Sequence, residues 1–384
     1  MATFLSTNGT MDVNYSQTAN NSVTKPMYYN PTTDDCTLLA RLIINTIIAG
    51  TICFLGLAGN ALSVVILRRD KQSPVATFLL QTLAYVDSLF VGLWFVHFSI
   101  NDLLGYAHID QHSHRLWVYT RLYSYPFLFI GQTATIWLTV LIALTRFIAV
   151  CLPYKAAGLC NMVMVKKAVV ATLVFSVVYN LPRFFDTKVV QVEMTIDNET
   201  VSKYFYNVTV LGGNRMYQKI YSDICYYVFS FILPLVMLGV LNSKLTLAYR
   251  GIKQRRQQLR GSSSSSTEGG GGGDPNITLL MIIVVLIFML CNLPARLVQI
   301  VWKYRDQACL TPHFFIKEVS NVMEVLNSST NFIVYCAFRH QFRDILKTMC
   351  CTSAKEDREN KTEDQTMLTL LNGKSKNEQA NEEV

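Results

Sequence analysis

Seven apolar blocks, each near the length that crosses a bilayer, constrain this 384-residue sequence more than any single motif in it. They run roughly over residues 38–67, 75–100, 117–150, 168–185, 221–247, 277–302 and 315–338. About 20 apolar residues in a helix span the hydrocarbon. A soluble chain of this length carries about 25% charged residues; this one carries 16%, with a mean hydropathy of +0.27. The surplus apolar residues fall in the blocks. The expected fold class is therefore an all-α membrane protein, a bundle of seven transmembrane helices over 38–338. The blocks show no repeated halves of the kind that build inverted-repeat transporters.

Charge sets the expected orientation. Residues 1–37 form a polar tail without a cleavable signal pattern, so the first block is expected to act as its own insertion signal. Arg68, Arg69 and Lys71 follow that block, and basic residues at a span end favour the cytoplasm. The N-terminus is then outside, the C-terminus is cytoplasmic, and the expected location is the plasma membrane. Glycosylation sequons at Asn8, Asn14, Asn20, Asn198 and Asn207 all fall on the outer side in this topology.

The remaining segments follow from composition. Residues 250–275, RGIKQRRQQLRGSSSSSTEGGGGGD and its continuation, read as a basic helical extension running into a Ser/Gly loop that builds no core. Such a basic segment attracts anionic lipid or an acidic partner. Residues 339–351, RHQFRDILKTMCC, read as an amphipathic helix on the inner leaflet. Cys350 and Cys351 at its end are either acylated or free thiols. Residues 352–384 are charged and expected to be disordered. Of ten cysteines, Cys36 and Cys309 are the two expected to face the oxidising outside, and they are expected to pair.

Polar residues inside the blocks are expensive and need a partner or a purpose. Asp87, Asn60, Thr135, Gln132, Asn327 and Asn331 can converge on one buried polar core in an antiparallel ring. Oxygen ligands around Asp87 would suit a sodium ion; a water-bridged network is the equal alternative. Pro126, Pro182, Pro234 and Pro294 interrupt the blocks and are expected to kink them.

Taken in order, one set per block, these residues carry a resemblance. They are Gly59-Asn60, Leu83 to Asp87, Arg146, Pro234, Phe288 with Cys291-Asn292-Leu293-Pro294, and Asn331 to Tyr335. The chain resembles the rhodopsin-like (class A) G-protein-coupled receptors. The stretches NLPRFFD, YTRLYSYPF and CNLPA are similar to invertebrate FMRFamide-type and related neuropeptide receptors. The resemblance implies a heterotrimeric G protein as partner, with arrestin and a receptor kinase at the tail. It places Arg146, Thr145, Phe288, Asn292, Pro294, Asn331 and Tyr335 in the switch that couples to the G protein. The family usually has an acid where Thr145 stands. Without it Arg146 lacks an ionic lock, and raised basal activity is the expected consequence. The alternative for Arg146 is a plain basic anchor at the membrane edge. The family's usual disulfide onto the second outer loop is impossible here, because Arg121 occupies the cysteine position and the loop has no cysteine.

Leu128 stands where an amine receptor needs an acid, and Val325 where a retinal pigment needs a lysine. The expected ligand is instead an extracellular peptide, received by a wide aromatic and charged mouth. Candidate contacts are Glu324, Arg296, Gln132, Leu128, Gln299, Arg121, Arg183 and Tyr125, with Asp186 and Glu318 as further acids. Glu324 would take a ligand arginine or else pair internally with Arg296. A non-peptide or constitutively active receptor is the alternative within the family. Channel and enzyme readings lack their motifs; no HExxH, GxSxG or P-loop is present. His108, His112 and His114 share one outer loop, either a weak zinc site or a solvated loop. No cofactor and no nucleic-acid partner is expected.

Overall fold

The computed structural model describes residues 35–70, 73–106, 111–196, 199–260, 283, 286–294, 297 and 311–349. Five described helices are long and apolar enough to cross a membrane: α1 (Leu39–Arg69), α2 (Pro74–Leu104), α3 (Arg115–Cys151), α4 (Met162–Phe184) and α5 (Arg215–Ala248). The sixth block is described as helix over 286–294 (α6). The seventh is broken at Thr330 into α7 (Pro312–Ser329) and α8 (Asn331–Phe338), and a further helix, α9, covers 340–349. Large side chains such as Phe54, Leu55, Leu89 and Val178 point outward and are exposed. A bundle apolar outside as well as inside suits lipid, not water.

Local chemistry sets the helix ends. Thr311 caps α7 by accepting from Phe314 N at 3.3 Å, and Pro312 takes the first helical position, where a missing N–H costs nothing. Asn161 caps α4 by accepting from Met164 N at 2.9 Å. Pro182 tightens the last turn of α4 into a 3-10 turn over Leu181–Phe184. Pro234 follows a wide π-type stretch, Val228–Ile232, in α5.

Similar wide turns at Leu42–Ile48 and Phe95–Ile100 face each other across α1 and α2. Wide turns free carbonyl groups, which polar side chains then take up. Asn101 Nδ2 donates to Val96 O at 2.9 Å and His97 O at 2.8 Å. Thr46 Oγ1 donates to Ser99 O at 3.0 Å, and Ser99 Oγ donates to Asn45 O at 2.6 Å.

α3 is the central helix, packed against α2, α4 and α5. On α1, Gly56 lets α7 approach closely: a Cβ there would stand 3.0 Å from Ser329 Cα. In α9, Phe342, Ile345, Leu346 and Met349 recur at helical spacing and pack on the cluster that holds Ile66 and Leu67 of α1. His340, Asp344, Lys347 and Thr348 occupy its exposed face.

One element adds to the all-α expectation. β1 (Thr187–Ile196) and β2 (Glu199–Val208) form an antiparallel hairpin between α4 and α5, in register from Thr187↔Val208 to Ile196↔Glu199. β-Branched Val and Thr populate β1 and favour this pleated form. With no cysteine to tie it down, the hairpin is held to α3 without a covalent link. Tyr206 Oη donates to Val118 O at 2.8 Å, and the Arg115 guanidinium lies 5.7 Å from the Tyr204 ring centre.

Candidate functional site

Midway through the bundle, the Asp87 carboxylate of α2 is 0% exposed. It accepts from Thr135 Oγ1 of α3 at 3.0 Å and from Asn331 Nδ2 of α8 at 2.5 Å. The break at Thr330 is what turns Asn331 inward. Asn60 Nδ2 of α1 donates to Ser328 O at 3.1 Å. A cavity of about 10 Å³ adjoins this core, lined in part by Gln132, Thr135, Asn292, Glu324 and Asn327. That is close to the volume one water needs. Both Asp87 oxygens accept from protein donors, each with a further lone pair to offer.

Toward the Leu39 end of the bundle, Glu324 on α7 is buried and accepts from Gln132 Nε2 on α3 at 2.9 Å. Arg183 is 7% exposed, with its guanidinium 3.9 Å from the Phe129 ring centre and 5.2 Å from that of Tyr226. Its Nε donates to Asn180 Oδ1 at 3.2 Å. Arg183 is thus a buried cation in an aromatic cage joining α3, α4 and α5. Tyr125 is exposed and packs edge-on to Phe129, and Arg121 lies 5.9 Å from the Trp117 ring centre. Asp186, just beyond α4, is half-buried; burial pushes its carboxyl above the usual range, against the bond it accepts from the Thr187 hydroxyl.

Two expected contacts are corrected by packing. Leu128 does not face the mouth but is closed into an apolar cluster with Cys53, Phe90, Trp94 and Val325. Glu318 is not a spare acid: it accepts from Asn45 Nδ2 at 3.1 Å and stands 3.7 Å from Arg41. Asn45 Nδ2 also donates to Asp102 Oδ2 at 2.7 Å. The sequence reading passed over Asn45, although a lone amide inside LIINTII was a signal of the same kind as Asp87. Arg296, Gln299 and the pairing of Glu324 with Arg296 lie outside the described residues, as do Asn8, Asn14, Asn20, Asn198, Cys309, Cys350, Cys351 and the side chains of His108, His112 and His114. Asn207 lies on β2, paired in register with Lys188. Cys36 is disulfide-bonded.

At the Arg69 end, Arg146 Nη2 is buried and has no hydrogen-bond partner among the described residues. The neighbouring Thr145 hydroxyl donates to Ile142 O at 2.9 Å, within its own helix. Phe288 and Asn292 lie on α6; Phe288 packs with Ile136 and Val140, and Asn292 Nδ2 donates to Phe288 O at 2.9 Å. Pro294 is the last residue of the described α6 stretch. Tyr335 is fully buried against Phe342, ring centres 5.8 Å apart. Arg339, between α8 and α9, pairs through Nη2 with Asp70 at the end of α1. Nothing periodic in the sequence announced that pair, whose members are 269 residues apart.

Comparison with known proteins adds to this geometry. Residues 59–335 match the family described as 7 transmembrane receptor (rhodopsin family). The chain is 28% identical over 295 residues to the FMRFamide receptor of Drosophila melanogaster, a match that covers 76% of this chain and 51% of that one. An FMRFamide peptide receptor of Caenorhabditis elegans is 28% identical over 315 residues, 79% of this chain and 69% of its own length. The sex peptide receptor of Drosophila melanogaster is 22% identical over 305 residues, 75% of this chain and 68% of that one. The chain spans about half the length of the Drosophila FMRFamide receptor it matches.

Proposed function

This chain belongs to the rhodopsin family of seven-transmembrane receptors, and from that premise we propose that it is a plasma-membrane receptor for an amidated neuropeptide, signalling through heterotrimeric G proteins. Members of that family are multi-pass membrane signalling receptors, not enzymes. The observation that carries the ligand class is the carboxylate of Glu324. It is buried inside the bundle and accepts from Gln132 Nε2 at 2.9 Å. A peptide ending in Arg-Phe-amide offers a guanidinium to that carboxylate and an aromatic ring to exposed aromatic residues such as Tyr125. Two relatives named as FMRFamide receptors support the same class.

In this reading the Leu39 end faces outside, and the Arg69 end, with the mouth beside Arg146, receives the G protein. Cys36 pairs with Cys309 across the outer rim. Six described cysteines are free, which leaves Cys309, Cys350 and Cys351 as partners for Cys36. The last two follow α9, which packs at the opposite end of α1. To test the ligand class, cells expressing the receptor are exposed to amidated peptides while calcium and cAMP are followed. The expected result is activation by an Arg-Phe-amide peptide and loss of activation when the amide is replaced by a free acid. Equal responses to both forms, or to neither across the amidated set, would overturn the ligand class.

Thr145 carries a second expectation. An aspartate there would give Arg146 a charge-assisted partner, a bond contributing about 1.5–3 kcal/mol to the resting state. Thr145→Asp is expected to lower ligand-free signalling at matched surface expression. Unchanged basal signalling would count against the missing lock.

A further inference from the structure

We propose that Ser73 is a phosphorylation site whose phosphate docks on Arg146 and supplies the anion that Thr145 does not. The inference rests on the reading that the Arg69 end is cytoplasmic, and it concerns regulation of the switch there. A cavity of about 220 Å³ lies between the start of α2 and the end of α3. Ser73, Pro74, Val75, Thr145, Arg146 and Cys160 line it.

Three independent features of this cavity favour an anion. Arg146 lines it, and the Nη2 of this arginine is buried without a hydrogen-bond partner among the described residues. Thr145 is neutral, and its hydroxyl proton is committed to Ile142 O, so it brings Arg146 no anionic partner. And the cavity meets the first turn of α2, a helix whose N-terminal N–H groups have no intrahelical acceptor and whose dipole favours negative charge. Ser73 occupies the N-cap position, yet its side chain makes no capping bond, while its carbonyl accepts from Thr77 N at 2.9 Å. Phosphorylation of its hydroxyl therefore breaks no cap of this helix.

Ser73 is partly exposed and is followed by Pro74, the residue pair that proline-directed kinases read. The reaction uses a nucleoside triphosphate. Ser73 Oγ attacks the γ-phosphorus and forms the Oγ–P bond. The bond from that phosphorus to the bridging oxygen breaks, the nucleoside diphosphate leaves, and the hydroxyl proton passes to the kinase's base. The product carries about −1.5 to −2 charges at pH 7 and three acceptor oxygens, suited to a guanidinium and a helix N-terminus together. With Arg146 so held, α2 and α3 are tied at their cytoplasmic ends and the arginine is withheld from the docking mouth.

The test uses the full-length receptor in cells. Mass spectrometry of the peptide that contains Ser73 is expected to show one added phosphoryl group, removed by phosphatase. At matched surface expression, Ser73→Ala is expected to raise basal signalling and Ser73→Asp to lower it, each by severalfold and up to about tenfold, the equilibrium effect of a modest charge-assisted bond. In a Thr145→Asp background both effects are expected to shrink to near nothing, since Arg146 already has its anion. The proposal is overturned by an absence of phosphate on Ser73 in cells treated with phosphatase inhibitor, or by Ser73 variants whose effects are the same in the parent and in the Thr145→Asp background. If Ser73→Ala matches the parent while Thr145→Asp still lowers the signal, any anion at Arg146 comes from elsewhere and the proposal also fails. None of these readouts uses a peptide ligand, so a failure of the ligand class is separately visible.

Discussion

Replacing Arg339 with methionine is expected to cost this receptor about 3–5 kcal/mol of stability, the usual penalty for removing one member of a buried ion pair. Arg339 is 2% exposed and Asp70 is 9% exposed. Asp70 ends α1, with its backbone N–H on Leu67 O at 3.2 Å, while Arg339 sits at the corner between α8 and α9. Their contact therefore ties the end of the first span to the point where the chain leaves the seventh and turns along α9. Methionine fills much of the arginine's volume, so the loss isolates the charge. It strips the Asp70 carboxylate of this guanidinium in a place where desolvation penalises the charged form. Flow cytometry on an N-terminal epitope tag should show most of the Arg339→Met protein missing from the cell surface. The purified protein should unfold at a clearly lower temperature. Combining it with Asp70→Leu removes both charges and is expected to recover most of the surface expression, because an apolar pair of similar size often replaces a buried ion pair at little cost. Wild-type expression of Arg339→Met alone would show that the pair contributes nothing.

The contrast between this pair and Asp87 shows what the sequence can disclose. Asp87 stands in an apolar run, and its cost in lipid is enough to flag it and to call for partners such as Thr135 and Asn331. The five long helices are legible for the same reason: length and hydropathy are local properties. Asp70 and Arg339 lie just outside apolar blocks, among other charges, where a basic or acidic residue normally sits in water. Only the folded chain brings them together. Glu318 and Leu128 fail in the other direction. One looked like a spare acid until Asn45 and Arg41 were seen beside it; the other looked like a mouth residue by its position along α3, but a helix of that length turns some positions into the cluster around Trp94. The hairpin at 187–208 carries β-branched residues that favour a strand, but a short polar segment between two spans has no apolar run that separates a hairpin from a loop.

Glu324→Gln is expected to raise the concentration of Arg-Phe-amide peptide needed for half-maximal signalling by about 10- to 150-fold, the equivalent of a charge-assisted bond of about 1.5–3 kcal/mol. Glutamine keeps the shape and one acceptor oxygen, so Gln132 Nε2 retains a partner at its 2.9 Å position while the negative charge disappears. Potencies are compared at matched surface expression, so that any change in folding is read separately. Its specificity is checked by a peptide in which the arginine is replaced by citrulline, a neutral side chain of nearly the same shape. On the parent receptor that peptide should be weak. On Glu324→Gln it should be no weaker, because the interaction it lacks is already gone; the two changes together then cost far less than their sum, the mark of direct coupling. Losses that simply add would separate Glu324 from the ligand's arginine and return it to a structural role between α3 and α7. An additive result with an intact preference for amidated over acid peptide would move the arginine site elsewhere in the chamber and leave the ligand class standing.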